Sequence, residues 1–142
     1  MIVVVDTNVL ISAVVGHGKP RRLVTRLLKE HKVITSREML AELVDVLDRA
    51  KFAKVKKRKV TKFLTILTNK AEIVSIQEDV DVIPEDPDDN IVLSTASEGN
   101  ANYILSGDKH LLNLREFRGI RIVPVKEMLE LLQKNPINPT KP

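Results

Sequence analysis

The residues of this 142-residue chain best equipped for chemistry are acids. Asp6 interrupts the apolar opening MIVVVDTNVLIS, Glu42 lies within REMLAELVDVL, Asp86, Asp88 and Asp89 crowd the segment EDPDDN, and Asp108 stands in SGDKH. Carboxylates brought together repel one another: two unit charges about 4 Å apart cost about 4 kcal/mol at an effective dielectric near 20. Such a group is tolerable with a cation among its members, or with some of them protonated. Oxygen donors without Cys or paired His favour a hard ion, Mg2+ or Mn2+, over zinc. One or two such ions could bind a scissile phosphate, orient a water and stabilise the leaving oxygen.

These acids can meet only if the fold carries them to one place. The β-branched run Ile2–Val5 reads as a strand buried on both faces, with Asp6 at its C-terminal end. Further strands are expected over Lys32–Thr35, Glu72–Ile76, Tyr103–Ser106 and Arg121–Val123. Helical patterns lie between them, over about Pro20–Glu30, Ser36–Arg49, Lys57–Lys70, Asp89–Ser97 and Lys126–Lys134. The second of these opens on Thr35–Glu38, TSRE, which has the form of a capping box. Strands alternating with helices predict a three-layer α/β/α domain over residues 1–134, with a mostly parallel central sheet. Sites in such sheets form beyond the C-terminal strand ends. Asp6, the EDPDDN acids and Asp108 all fall there. In the helix Ser36–Arg49, Glu42 lies about 40° outside the edge of the apolar stripe containing Met39, Leu40, Leu43, Val44, Val46 and Leu47, so it can stand at the core margin facing a cleft.

Each acid also has a plainer reading. Asp89 can cap its helix, Asp86, Asp88 and Asp108 can be turn residues, and Glu42 can be a solvated helix carboxylate. Asp6 resists this treatment, because an unpaired acid against four apolar residues is costly unless something binds it. An EF-hand over DPDDN fails, since Ile91 stands where the loop glycine belongs and Ser97 where the final glutamate belongs. His17, His31 and His110 are scattered and read as surface residues, and no glycine pattern suits a phosphate loop.

The formal net charge is +4, and Arg49 to Lys62 carries eight Lys or Arg without an acid. Lys54, Lys56, Lys57 and Arg58 are therefore candidate contacts to a nucleic-acid phosphate backbone, with a solvated helix face as the alternative. Aromatic residues amount to only 3%, too few for a base-stacking platform. The absence of Cys rules out disulfides and thiolate metal sites and fits a reducing, cytoplasmic setting. No segment has the length to cross a bilayer, so no membrane role is expected. Residues 135–142, rich in proline, are expected to be a disordered tail.

Taken in order, VVVDTNVLISA, REMLAELVDVL, DPDDNIVLSTA and YILSGDKHLLNL resemble the PIN-domain family, in its VapC-like toxin–antitoxin form, over Ile2 to about Leu132. The resemblance implies a metal-dependent endoribonuclease acting on single-stranded RNA. Carried over by position, it implies that Asp6, Glu42, Asp89 and Asp108 are catalytic and hold one or two Mg2+ or Mn2+ ions, with Asn8 and Ser106 as supporting polar residues. It also implies a homodimer and a small antitoxin partner. His110 departs from the pattern, standing where related sequences often have a second acid, and Ser106 stands where threonine is common. Two other classes compete with this reading. A receiver-like phosphoacceptor switch needs an adjacent acidic pair after the first strand, whereas Asp6 is followed by Thr7. A catalytically silent RNA-binding domain would bind RNA without metal-stimulated turnover.

Overall fold

The computed structural model describes residues 1–134, apart from the side chain of Ala50; the tail expected at 135–142 lies outside the described residues. The chain runs β1 (Ile2–Val5), α1 (Thr7–Val15), α2 (Lys19–Glu30), β2 (Lys32–Ser36), α3 (Arg37–Leu47), a 3-10 turn (Ala50–Phe52), α4 (Lys57–Lys70) and β3 (Glu72–Val74). After a loop come α5 (Pro87–Glu98), β4 (Tyr103–Leu105), α6 (Lys109–Leu114), the short β5 (Glu116–Phe117), β6 (Ile120–Val123) and α7 (Val125–Lys134).

The strands form one six-stranded sheet in the order β3-β2-β1-β4-β6-β5. All neighbours pair in parallel except the β5–β6 hairpin. In the centre, β1 sets Val3 beside Val33 of β2 and Val4 beside Ile104 of β4, and Ile104 lies beside Ile122 of β6. Alternate residues of a strand face opposite sides. Val3 and Val5 accordingly join Leu10, Leu23, Leu27, Leu43, Leu67 and Met128 on one face. Val4, Ile34, Ile104 and Ile122 join Leu93, Ala96 and Leu111 on the other. Helices thus cover both faces, as the three-layer expectation requires. Each fully buried Val or Leu contributes about 1.5–3 kcal/mol, which makes β1, buried from both sides, the most heavily anchored strand.

A receiver-like domain has the parallel order 2-1-3-4-5. Here β1 lies between β2 and β4, so the strand order does not fit that alternative.

Several local expectations are corrected. The sequence reading contained no helix after Asp6, yet α1 begins at Thr7. Val9, Leu10, Ile11, Ala13 and Val14 are all buried, so α1 is apolar around most of its circumference and shows little amphipathic period. Its neighbours make this possible: α2 and α3 close over it. In α3 the cap is Ser36 rather than Thr35, with the Ser36 hydroxyl accepting the Met39 N–H at 3.3 Å. The buried stripe of α3 narrows to Met39, Leu43 and Leu47, leaving Val44 50% exposed. The brief α6 and β5 were also missed, being too short to show a period.

Candidate metal centre

The strand order reverses direction between β1 and β4: chain order runs outward through β2 and β3 on one side, and through β6 on the other. Connections leave such a switch point towards opposite faces and open a crevice beyond the strand ends. Asp6 follows β1 and Asp108 follows β4, so both acids lie at this crevice.

Asp6 is the N-cap residue of α1, but its main-chain carbonyl does the local work by accepting from the N–H groups of Val9 and Leu10 at 3.0 and 3.1 Å. Its own N–H donates to the Leu105 carbonyl at 2.9 Å, which ties the end of β1 to β4. The side chain is therefore free to face the crevice. Its Oδ2 accepts the Ser106 hydroxyl at 2.7 Å, and Ser106 Oγ in turn accepts the Asp108 N–H at 3.0 Å. Ser106, 0% exposed, thus links the first acid to the backbone that carries the last. Burial pushes the Asp6 carboxyl up to about 6 against the Ser106 hydrogen bond, and the nearby charges of Asp108 and Asp86 push the same way.

The third acid enters on α5. Pro87 occupies the first turn, where its missing N–H costs nothing, and Asp86 caps the helix by accepting the Asp89 N–H at 3.3 Å. Asp89 is 5% exposed, and its Oδ2 has no hydrogen-bond partner. Burial, then the adjacent Asp108, then Asp86 and Asp6 raise its carboxyl to about 9. Asp108 is held the other way: burial raises it, but Asp89 and the N–H groups of Leu111 and His110 together bring it below the ordinary carboxylate range. The two acids behave as one unit that retains a proton, on Asp89.

Glu42, on α3, is half-buried as its angular position foretold. Burial raises it to about 7; Asp88 and Asp6 add to the rise, and the Thr7 hydroxyl opposes it. The acids expected from sequence therefore come together from α3, α5 and the ends of β1 and β4. Asn8, two residues beyond Asp6, is exposed on α1, and its side chain makes no hydrogen bond to the acids among the described residues.

The sequence places Asp86 and Asp88 at this edge without making them ligands, and the histidines read there as scattered surface residues. The structure gathers Asp86, Asp89, Asp108 and His110 so that one ligand atom from each lies within 4.8 Å of the others. The spacing of Asp86 and Asp89 about one helical turn carried a capping signal; nothing in the spacing pointed to His110. Asn90 was also missed. Its side chain accepts from the N–H groups of Val82 and Ile83 at 3.0 and 2.8 Å and donates to the Ile83 carbonyl at 2.6 Å. Ser94, one turn on, accepts the Val80 N–H at 2.9 Å. Polar residues on α5 thus fasten the segment that leads to Asp86.

Lys54, Lys56, Lys57 and Arg58 are all exposed. Lys56 is the N-cap position of α4, where no side chain caps the helix and the first turn contains no acid. Cations at a helix N-terminus oppose the helix dipole, so this arrangement is unfavourable without an anion.

Comparison with known proteins agrees with this architecture. A family model described as PIN domain matches residues 2–110. Uncharacterized protein MJ1680 of Methanocaldococcus jannaschii is 33% identical over 119 residues, covering 80% of this chain and 75% of that relative. A solved chain from the crystal structure of VapBC2 of Rickettsia felis, bound to a DNA fragment from its promoter, superposes with a TM-score of 0.62 at 18% identity, over 87% of this chain and 98% of that chain. The match to the family model spans β1 through the residues of the α6 cap, which includes every acid described above, and the chain belongs to the PIN-domain family.

Proposed function

We propose that the protein is a metal-dependent endoribonuclease that hydrolyses phosphodiester bonds of single-stranded RNA, with Asp6, Glu42, Asp89 and Asp108 as its catalytic acids. The observation that carries the proposal is the Asp89 carboxyl: buried, with an Oδ2 that has no hydrogen-bond partner, and surrounded by other acids. A buried carboxylate in that setting is expensive unless a cation or a proton neutralises it, and a cation can displace the proton that Asp89 holds. The four proposed donors are all carboxylates and no thiolate is present, which fits a hard divalent ion.

Asp6, Asp89 and Asp108, with Glu42 completing the set, would hold one or two Mg2+ or Mn2+ ions. When bound, these ions would supply charge neutralisation at the scissile phosphate and a more acidic attacking water. The residues of the chain do the rest. Ser106 fixes the Asp6 carboxylate. Glu42, with a carboxyl raised towards neutrality, is suited to accept a proton from the attacking water. Lys54, Lys56, Lys57 and Arg58 would track the phosphate backbone, since their charges at the α4 N-terminus favour an anion.

The likeness to a VapBC2 chain supports a toxin role with an antitoxin partner. A groove of about 410 Å³ also favours such a partner, having an apolar floor of Val14, Leu28, Phe63 and Ile66 and cations including Arg21 and Lys62 at its rim. An acidic amphipathic segment would suit it. A homodimer completes the proposal, and sedimentation of the purified protein tests it.

The direct test is cleavage of a single-stranded RNA with Mg2+ or Mn2+, with chelator, and by Asp6→Asn. Turnover that disappears with chelator and falls by 10²-fold or more in the variant is expected, in line with roughly 3 kcal/mol of lost transition-state stabilisation. Undiminished cleavage under both challenges would refute the assignment.

A further inference from the structure

His110 is the one nitrogen donor in the acidic group, and its position is peculiar. Its Nδ1 lies 3.5 Å from Asp86 Oδ2, 3.8 Å from Asp89 Oδ2 and 4.0 Å from Asp108 Oδ1. Each of these separations exceeds hydrogen-bond length. The imidazole therefore points among three carboxylates without bonding to any of them. One of the three, Asp89 Oδ2, is buried and equally without a partner. The main chain of His110 is fixed independently, because its N–H donates to Asp108 Oδ1 at 2.8 Å as part of the α6 cap. The cap thus brings the ring within ion-pair reach of all three acids, with a side-chain hydrogen bond to none of them.

Donors that share an ion show this spacing. With ligands about 2.1 Å from an octahedral ion, adjacent donors lie about 3.0 Å apart and opposite ones about 4.2 Å apart. The distances from His110 fall between these limits. The four donors, all within 4.8 Å of one another, need to close by at most roughly 0.6 Å to meet them.

We infer that His110 is a direct metal ligand, and that with Asp86, Asp89 and Asp108 it forms a mixed oxygen–nitrogen site that selects a divalent first-row transition ion, Mn2+ above all, over Mg2+. The selectivity follows from ligand chemistry: Mg2+ takes oxygen donors and gives up its water reluctantly, whereas imidazole suits first-row transition ions. Asp86 thereby serves twice, as the helix cap and as a ligand. The inference rests on the metal-dependent reading above and narrows it to an ion and to two residues that reading does not use.

The test is made on the full chain loaded with Mn2+ and read by pulsed electron paramagnetic resonance, together with competition between Mn2+ and Mg2+ for the protein. Wild type is expected to show nitrogen coupling to the bound ion. His110→Ala is expected to lose that coupling and to bind Mn2+ more weakly by about 10- to 100-fold, the range seen even for lost outer-sphere partners. His110→Asp, which restores an oxygen donor, should bind the ion but lower the Mn2+/Mg2+ preference by about tenfold or more. Mn2+ binding without nitrogen coupling, or an unchanged ion preference in His110→Asp, would overturn the inference while leaving the metal-dependent reading intact. Failure of wild type to bind Mn2+ at all would overturn both.

Discussion

Among single residues, Asp89 is the one that the metal-free protein tolerates least. Its raised carboxyl binds a proton that the unfolded chain has already released. Where the native state holds more protons than the unfolded state, stability falls as pH rises. Asp6 and Glu42, raised to about 6 and about 7, act in the same direction over the lower part of the range. His31, lowered by burial and by the N-terminal charge, acts oppositely up to its ordinary value near 6.5. Above that, Asp89 dominates, so the melting temperature of the metal-free protein should decline between about pH 6.5 and 9, and added Mn2+ should reverse the decline. Asp89→Asn should flatten this slope and stabilise the metal-free protein at pH 8 by on the order of 1–3 kcal/mol while abolishing cleavage. Thermal melts across pH with chelator would show it. Ser106→Ala addresses the neighbouring acid. Loss of the 2.7 Å hydrogen bond removes the main influence lowering the Asp6 carboxyl, so its titration should move upward. The acid limb of the cleavage profile should follow it to higher pH.

Helices and strands place these residues by means that were legible to different degrees. The strand Ile2–Val5 was readable to the residue, because four β-branched or apolar positions buried on both faces leave no other element to form, and Asp6 then had to fall at a sheet edge. Glu42 was readable from its angle on α3. The helix α1 was not: nearly uniform burial erases the period that betrays a helix. His110 was not readable either, because the α6 cap that aims it at Asp86 and Asp89 spans a few residues, while those partners lie more than twenty positions away in sequence. Asn90 looked like one more polar residue in DPDDN, yet it satisfies three main-chain groups of the preceding loop. Asn90→Ala would leave those groups without partners and should lower stability by about 2–4 kcal/mol in thermal melts, with loss of metal affinity as Asp86 is released. Packing sets a second check. A side chain at Gly99, just after α5, would place its Cβ 2.9 Å from Cγ2 of the fully buried Ile34. Gly99→Ala should therefore cost about 1–3 kcal/mol from crowding alone, with the acids untouched.

At the scale of the molecule, the proposed function would divide its work between the acidic crevice and the basic α4 end. An acidic crevice repels phosphate unless cations occupy it, whereas a net charge of +4 favours the approach of a polyanion such as the proposed RNA. Affinity for single-stranded RNA should then fall steeply with salt, each phosphate contact contributing about 0.7 to the slope of log K against log salt. Replacing Lys54, Lys56, Lys57 and Arg58 by Ala should reduce that slope by up to about 3 and leave metal binding unchanged, as filter-binding titrations at several salt concentrations would reveal. No helix among the described residues is long and apolar enough to cross a membrane.

Side chains from separate elements are proposed to form one pocket for divalent cations. Diffraction from crystals soaked in Mn2+, collected where manganese scatters anomalously, tests it most directly. An anomalous peak is predicted within coordination distance of Asp89 and Asp108. Carboxylates that stay in place around no such peak would contradict it.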